Sequence, residues 1–201
     1  MIAIVDYGMG NLRSVQKAFE RLNVEAQIVS EPEVASKADK IVLPGVGAIA
    51  DAVAELERTG MDAVVRESIS SGKPFLGICL GFQALFESSE ENGTTRCLGI
   101  LPGRVVRFPA FPDLVVPHMG WNRLVFQKEV PIYQGLSEAD LVYFVHSYYA
   151  IAGEPSDVAT TTDYGLDFCS SIARDNVFGV QFHPEKSQAV GLRILRNFAD
   201  L

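Results

Sequence analysis

The chain has 201 residues, of which 48% are hydrophobic and 21% charged, and its formal net charge is −8. This length suffices for one domain with a substantial core. The negative charge opposes binding to phosphate backbones and anionic lipid, so nucleic acid and membrane surfaces are poor partners. The start lacks the basic flank of a signal peptide, and no apolar run approaches the roughly 20 residues that span a bilayer. We therefore expect a cytoplasmic protein.

The first half of the chain alternates short apolar strands with stretches of helical periodicity. The predicted strands are residues 2–5, 24–29, 41–43 and 74–78. The predicted helices run from a cap at Asn11 to residue 22, over 48–58 and 61–69, and through 83–87. This alternation indicates a parallel sheet with helices on both faces.

The second half is richer in strands, which Gly, Pro, Asp and Asn separate. They are predicted at residues 104–108, 123–126, 141–145, 158–162, 168–173 and 177–182. Ser187 is the predicted cap of a last helix that ends near residue 198. We expect antiparallel additions to the parallel sheet here, and a single α/β domain over residues 1–201.

The three cysteines bear on both the compartment and the chemistry. They are odd in number and lack metal-ligand spacing, so a reducing compartment is the simpler interpretation. Cys97 and Cys169 have no motif around them and are interpreted as structural. Cys79 differs, because it stands in Gly77-Ile78-Cys79-Leu80-Gly81 between an apolar strand and a helix.

This stretch has the pattern of a nucleophile elbow, in which flanking glycines permit a sharp strand-to-helix turn. Such a turn places the thiol of Cys79 above the carboxyl edge of the sheet and at a helix N-terminus, which favours the thiolate. The alternative interpretation is a buried cysteine at a glycine-rich strand end.

A matching base stands near the end of the chain, in Gln181-Phe182-His183-Pro184-Glu185. A cysteine nucleophile needs a base near neutral pH, and imidazole fits. A third group must orient that imidazole, and residues two apart in extended chain project to the same side. His183 and Glu185 therefore form a plausible base and orienting group, although a structural histidine in a turn is the alternative.

Three motifs together resemble the class I (triad-type) glutamine amidotransferases, a family with a flavodoxin-like fold. They are Pro44-Gly45-Val46-Gly47, the Cys79 elbow with Gln83, and His183-Pro184-Glu185. Finer features at residues 5–12, 117–122 and 143–148 resemble one branch, the glutaminase subunits of imidazole glycerol phosphate synthase.

The resemblance implies a role for each matching position. Cys79 attacks the side-chain amide of glutamine, His183 transfers the proton, and Glu185 supports His183. The oxyanion is stabilised by backbone N–H groups of Leu80 and of the Val46–Gly47 loop, where a peptide flip could switch the site. Glutamine is bound by the remaining matching positions, which are Gly45, Gln83, Ser147 and Tyr148. No cofactor is implied.

The resemblance also implies a partner, a cyclase subunit with a (β/α)₈ barrel that receives the ammonia through a tunnel. Four positions match residues that the family places toward this partner: Asn11, Trp121, Tyr143 and Lys186. From the residues alone, Asn11 could be only a helix cap and Trp121 only a core anchor.

Other functions stay open at this point. The chain could serve another synthase, such as anthranilate or pyridoxal phosphate synthase, or hydrolyse a different substrate with the same three residues. It could also be a non-catalytic subunit, although the intact triad pattern opposes this. A zinc site formed by His118, His146 and His183 is disfavoured, because these residues are widely spaced and bound zinc would block Cys79.

Overall fold

A computed structural model describes residues 1–112 and 114–201 of the chain. The first half contains strands β1–β4, which are Ile2–Val5, Ala26–Val29, Lys40–Gly45 and Phe75–Cys79. Its helices α1–α5 are Leu12–Arg21, Pro32–Ala35, Ile49–Thr59, Met61–Ser70 and Leu80–Gln83.

The second half consists mainly of strands. Strands β5–β9 are Ser88–Ser89, Thr95–Arg96, Gly103–Arg107, His118–Arg123 and Val125–Phe126. Strands β10–β14 are Leu141–His146, Tyr148–Ala152, Val158–Asp163, Asp167–Arg174 and Val177–Val180, and helix α6 is Gln188–Ala199. Three 3₁₀ turns lie at Pro131–Tyr133, Pro155–Asp157 and Pro184–Lys186.

The main sheet has the order β2-β1-β3-β4-β14-β13-β11-β7-β5-β6. Its first five strands are parallel, in the order found in flavodoxin-type sheets. From β13 onward most neighbours are antiparallel. The prediction of a mostly parallel sheet with antiparallel additions in the C-terminal half is therefore confirmed.

Helices cover both faces of the parallel strands, because successive residues of each strand point to opposite sides. In β1, Ala3 and Val5 join a core cluster that includes the buried residues of α3 and α4. Ile2 and Ile4 join the other cluster, which includes the buried residues of α1 and α6. Both faces are apolar, as a buried parallel sheet requires.

Two elements predicted from the sequence, one strand and one helix, were wrong. The strand predicted over 123–126 is the last residue of β8 and the whole of β9, and Leu124 between them is buried. The helix predicted over 83–87 ends at Gln83. The reason is visible in the hydrogen bonds, because the carbonyls of Leu85 and Phe86 accept from Ile100 and Gly99 instead of continuing a helix.

The two predicted caps occupy their positions without capping through their side chains. Asn11 and Ser187 precede α1 and α6, but neither side chain bonds to the first turn. The Ser187 hydroxyl instead donates to the carbonyl oxygen of His183 at 2.6 Å and accepts from the backbone N–H of Tyr143 at 2.9 Å. Within residues 1–112 and 114–201, no helix has the length and apolarity to cross a membrane.

Candidate active site

Cys79 stands at the sharp turn between β4 and α5. Its φ of 53° and ψ of −105° are unusual for a residue with a side chain, and only a tightly packed surrounding maintains such strain. A Cβ on Gly81 would lie 1.9 Å from the carbonyl oxygen of Leu43, and one on Gly77 would lie 2.8 Å from the carbonyl oxygen of Gly81. The two flanking glycines therefore permit the turn, as the sequence pattern predicted.

His183 reaches this turn because β14 pairs with β4 in parallel, with Val180 opposite Ile78. His183 follows shortly after that strand, at the same edge of the sheet. Its Nδ1 lies 2.8 Å from Oε1 of Glu185. The predicted contact is present, but Glu185 belongs to a 3₁₀ turn and not to the extended chain that we assumed.

Helix α6 holds this turn in place. The backbone of Pro184 approaches the helix at Gly191, where a Cβ would lie only 1.8 Å from the Pro184 carbonyl oxygen. Pro184 separates the two residues of the His183–Glu185 pair in sequence. The spacing of that pair therefore depends on a glycine in a helix behind the site.

The electrostatics of His183 favour its charged form. Burial acts to lower its pKa, but the neighbouring Cys79 and the hydrogen-bonded Glu185 outweigh burial and raise the pKa to about 10. The side chains of His183 and Glu185 are 2% and 1% exposed, so solvent screens their interaction little. The arrangement suits a thiolate–imidazolium pair.

The Gly45–Gly47 loop lies beside the thiol because β3 pairs with β4 in a register that sets Gly45 opposite Cys79. The loop begins at a fixed point, since the hydroxyl of Tyr7 donates to the carbonyl oxygen of Pro44 at 3.1 Å. Beyond it, Gly47 has a φ of 108° and the side chain of Val46 is exposed. Backbone donors can therefore be presented to a group bound at Cys79.

A cavity of about 370 Å³ opens over Cys79. Of the residues predicted for the oxyanion and for glutamine, the structure brings six to its wall: Val46, Gly47, Leu80, Gln83, Ser147 and Tyr148. Gly45 lies behind them, packed so closely against Tyr7 and Leu80 that a Cβ would overlap both. The cavity has the size of a small-molecule site and combines a thiol with polar groups.

Two polar residues at the site were missing from the sequence prediction. Gln181 is fully buried, and its amide nitrogen lies 3.7 Å from Sγ of Cys79. Gln181 is two residues before His183, and residues two apart in extended chain project to the same side, so the sequence contained a signal for it. Glu91 lines the cavity and accepts a hydrogen bond from the N–H of Ile49 at 2.7 Å. Nothing in its local sequence distinguishes it, because a loop brings it there.

Three of the four predicted partner residues form one exposed cluster. Trp121 of β8 and Tyr143 of β10 are direct neighbours, with ring centroids 5.8 Å apart. The ammonium of Lys186 lies 6.0 Å from the centroid of the Tyr143 ring. Trp121 is 45% exposed, so it is not a core anchor. Asn11 immediately precedes α1.

The histidines considered for zinc are engaged otherwise. Nδ1 of His118 lies 3.1 Å from Nε2 of His146, and both rings are buried. Among the residues that the structure describes, no three His, Cys, Asp or Glu side chains form a metal-binding group. Cys97 and Cys169 are buried free thiols, and burial raises their pKa values to about 11 and about 12.

The fold agrees with comparisons to known proteins. The family model for glutamine amidotransferase class-I matches residues 3–201. A solved structure described as a glutamine amidotransferase superposes with a TM-score of 0.76 at 22% identity, with 100% of both chains covered. The chain belongs to the class-I glutamine amidotransferase family.

Curated relatives within this family share one description, imidazole glycerol phosphate synthase subunit HisH. The protein from Syntrophotalea carbinolica is 54% identical, with 100% of both chains covered. The protein from Aquifex aeolicus is 55% identical, over 97% of this chain and 94% of its own. The similarity thus extends over the whole length of these subunits and is not confined to the site.

Proposed function

We propose that Cys79, His183 and Glu185 hydrolyse glutamine to glutamate and ammonia in this chain. The ammonia passes to a cyclase subunit that forms imidazole glycerol phosphate in histidine biosynthesis. The observation that carries the proposal is the convergence of a strained thiol, a buried His–Glu pair and a small polar cavity at one edge of the sheet. The HisH relatives support the pathway.

The reaction begins with the Cys79 thiolate, which attacks the side-chain amide carbon of glutamine. Backbone N–H groups of Leu80 and of the Val46–Gly47 loop stabilise the negative oxygen of the tetrahedral intermediate. His183 then protonates the departing nitrogen, so that the C–N bond breaks, ammonia leaves and a glutamyl thioester remains. In the second half, His183 takes a proton from water, which attacks the thioester and releases glutamate and the thiolate.

The cavity supplies hydrogen-bond acceptors for the amino-acid group of glutamine. The Glu91 carboxylate suits the α-ammonium of glutamine through a charge-assisted hydrogen bond. Gln83 donates through its amide nitrogen to the carbonyl oxygen of Tyr148 at 3.0 Å and to Oε1 of Gln181 at 2.9 Å. Both of its protons are therefore used, and its Oε1 is available to accept from the ligand.

The partner is a barrel-shaped cyclase subunit in a heterodimer, and the chain acts as one domain in the cytoplasm. The exposed face of β8 and β10 supports this docking, since Met119 and Trp121 are 62% and 45% exposed. Aromatic residues and methionine at a surface favour a protein interface. The cavity reaches this face through Val145 and Lys186, so ammonia released at Cys79 has a short path to the partner.

The first experiment measures glutamate release from glutamine by the chain alone, with the cyclase subunit and its nucleotide substrate, and with Cys79→Ala. We expect activity that rises with the liganded cyclase and vanishes in the variant. Activity that the cyclase does not stimulate contradicts the partner, and activity retained by Cys79→Ala contradicts the nucleophile.

Coupling between the two reactions is tested by Lys186→Ala. The side chain lies between the cavity and Tyr143, so its loss should leave more ammonia in solution per imidazole product formed. Arg66→Ala, on the far helix α4, is the matched control. An unchanged ratio of glutamate to cyclised product in Lys186→Ala contradicts this role.

A further inference from the structure

A chain of buried and partly buried hydrogen bonds runs from β8 to the wall of the cavity. The amide nitrogen of Asn122 lies 3.4 Å from Nε2 of His118, and Nδ1 of His118 lies 3.1 Å from Nε2 of His146. Nδ1 of His146 in turn lies 2.8 Å from the carbonyl oxygen of Tyr148. The two imidazoles are 2% and 6% exposed, so water does not compete for these bonds.

The direction of each bond is fixed by its last acceptor. A backbone carbonyl can only accept, so Nδ1 of His146 carries the proton, and in the neutral ring Nε2 is then an acceptor. Nδ1 of His118 must then donate, and its Nε2 accepts from Asn122. Both rings are neutral in this arrangement, and burial lowers the pKa of His118 to about 4 and that of His146 to about 3.

The rings have little freedom to leave these positions. His118 is stacked between Phe144 and Tyr164, with centroid distances of 4.7 Å and 4.0 Å. The ring of Phe108 packs against His146 at 5.3 Å. The donor at Nδ1 of His146 is therefore held toward one point, the carbonyl oxygen of Tyr148.

That carbonyl oxygen is also a contact of the active site. It accepts from the amide of Gln83 at 3.0 Å, and the same amide bonds to Gln181, which reaches toward Cys79. Two series of donors thus converge on one oxygen, one from the nucleophile and one from the paired histidines. A shift of Tyr148 would move Gln83 and the strand start that lines the cavity.

We propose that His118 and His146 are positioning residues for glutamine, which hold the Tyr148 carbonyl and through it orient Gln83. The inference rests on the proposed role of Gln83 and Tyr148 in binding glutamine. It gives a function to a histidine pair that neither reacts nor binds metal in the proposed mechanism. It also ties the cavity to β8, the strand that exposes Trp121.

The test compares two substitutions of His146 that differ in where they place a donor. In His146→Asn the amide nitrogen is bonded to Cγ, as Nδ1 is, so it can still donate to Tyr148. In His146→Gln the amide nitrogen is one bond further out, near the position of Nε2, and the donor to Tyr148 is lost. Steady-state glutaminase kinetics are measured on the full chain in complex with the cyclase subunit, and thermal melts establish that each variant is folded.

We expect the KM for glutamine to rise about tenfold in His146→Gln and less than about threefold in His146→Asn, with kcat within about twofold in both. A merely structural role would lower the melting temperature without separating KM from kcat. Equal KM values in the two variants overturn the inference, since ring volume and not the Nδ1 donor would then matter.

Two further variants keep the outcome decisive. If His146→Gln does not fold, His118→Phe replaces it, because the ring can stay stacked while the donor to His146 is removed. A KM unchanged in that folded variant overturns the inference. Gln83→Ala separates the two proposals. If the KM for glutamine rises in Gln83→Ala but is normal in His146→Gln, only the positioning role is overturned. If the KM is unchanged in Gln83→Ala, the glutamine site and this inference are overturned together.

Discussion

Replacing Gly81 by alanine should separate the elbow from the strand beside it. The new Cβ would lie 1.9 Å from the carbonyl oxygen of Leu43. Unbonded carbon and oxygen rarely approach closer than about 3.3 Å, so the backbone must move by about 1.4 Å. Overpacking of this kind costs about 1–3 kcal/mol, against which the helix preference of alanine restores at most about 1 kcal/mol. We expect a net loss of about 2 kcal/mol in the free energy of unfolding.

The larger effect should be on catalysis, because the moving segment carries Cys79. A misplacement of about 1 Å can lower a rate about 100-fold, so kcat/KM for glutamine should fall at least that far. Urea unfolding and glutamate release are measured on the same preparation. Gly72→Ala is the control for a strained backbone without a steric clash. Gly72 has a φ of 83°, which strains alanine, but no atom lies within 4 Å of the added carbon. Activity of Gly81→Ala within threefold of wild type would refute the steric argument.

The remaining predictions concern single groups around the site. The raised pKa of His183 stabilises the fold only while the ring is protonated. The loss of unfolding free energy in Glu185→Gln should therefore be largest below about pH 6.5 and shrink as the pH rises toward about 10. Urea titrations from about pH 6 to about pH 10 check this, and a loss that does not depend on pH contradicts it. Tyr7→Phe removes the bond to Pro44 and should lower the unfolding free energy by about 1 kcal/mol and kcat severalfold, with KM unchanged in steady-state assays. Glu91→Gln should raise the KM for glutamine about tenfold with little change in kcat; the reverse pattern would move Glu91 from binding to chemistry.

Periodicity and local motifs predicted the parallel half of the fold and the strand-to-helix turn at Cys79. Each apolar strand is a short continuous segment, and the elbow needs only residues 77–81, so both are local properties. The His183–Glu185 contact was also predicted, although for a partly wrong reason. The 3₁₀ turn at that point depends on Gly191, seven residues after Pro184, and no short window includes it.

Residues that enter the site through long-range pairing could not be predicted in the same way. Glu91 lies on the loop between β5 and β6, two-residue strands that have no periodicity to detect. His118 and His146 were considered only as metal ligands, because their sequence separation hides the fact that β8 and β10 place them opposite each other. A pairing register is a property of two segments together, and a single sequence read in windows does not contain it.

The position of β14 has a consequence for how the protein is made. This strand, Val177–Val180, is inserted between β4 and β13 and not at an edge of the sheet. A nascent chain that lacks it has β4 as an open edge, with the apolar residues Phe75, Leu76 and Ile78 available to other strands. The thiol of an unfinished chain also has no imidazole beside it. A product that terminates before Val177 therefore combines an open apolar strand edge, which is an aggregation hazard, with a thiol that has lost its neighbouring histidine.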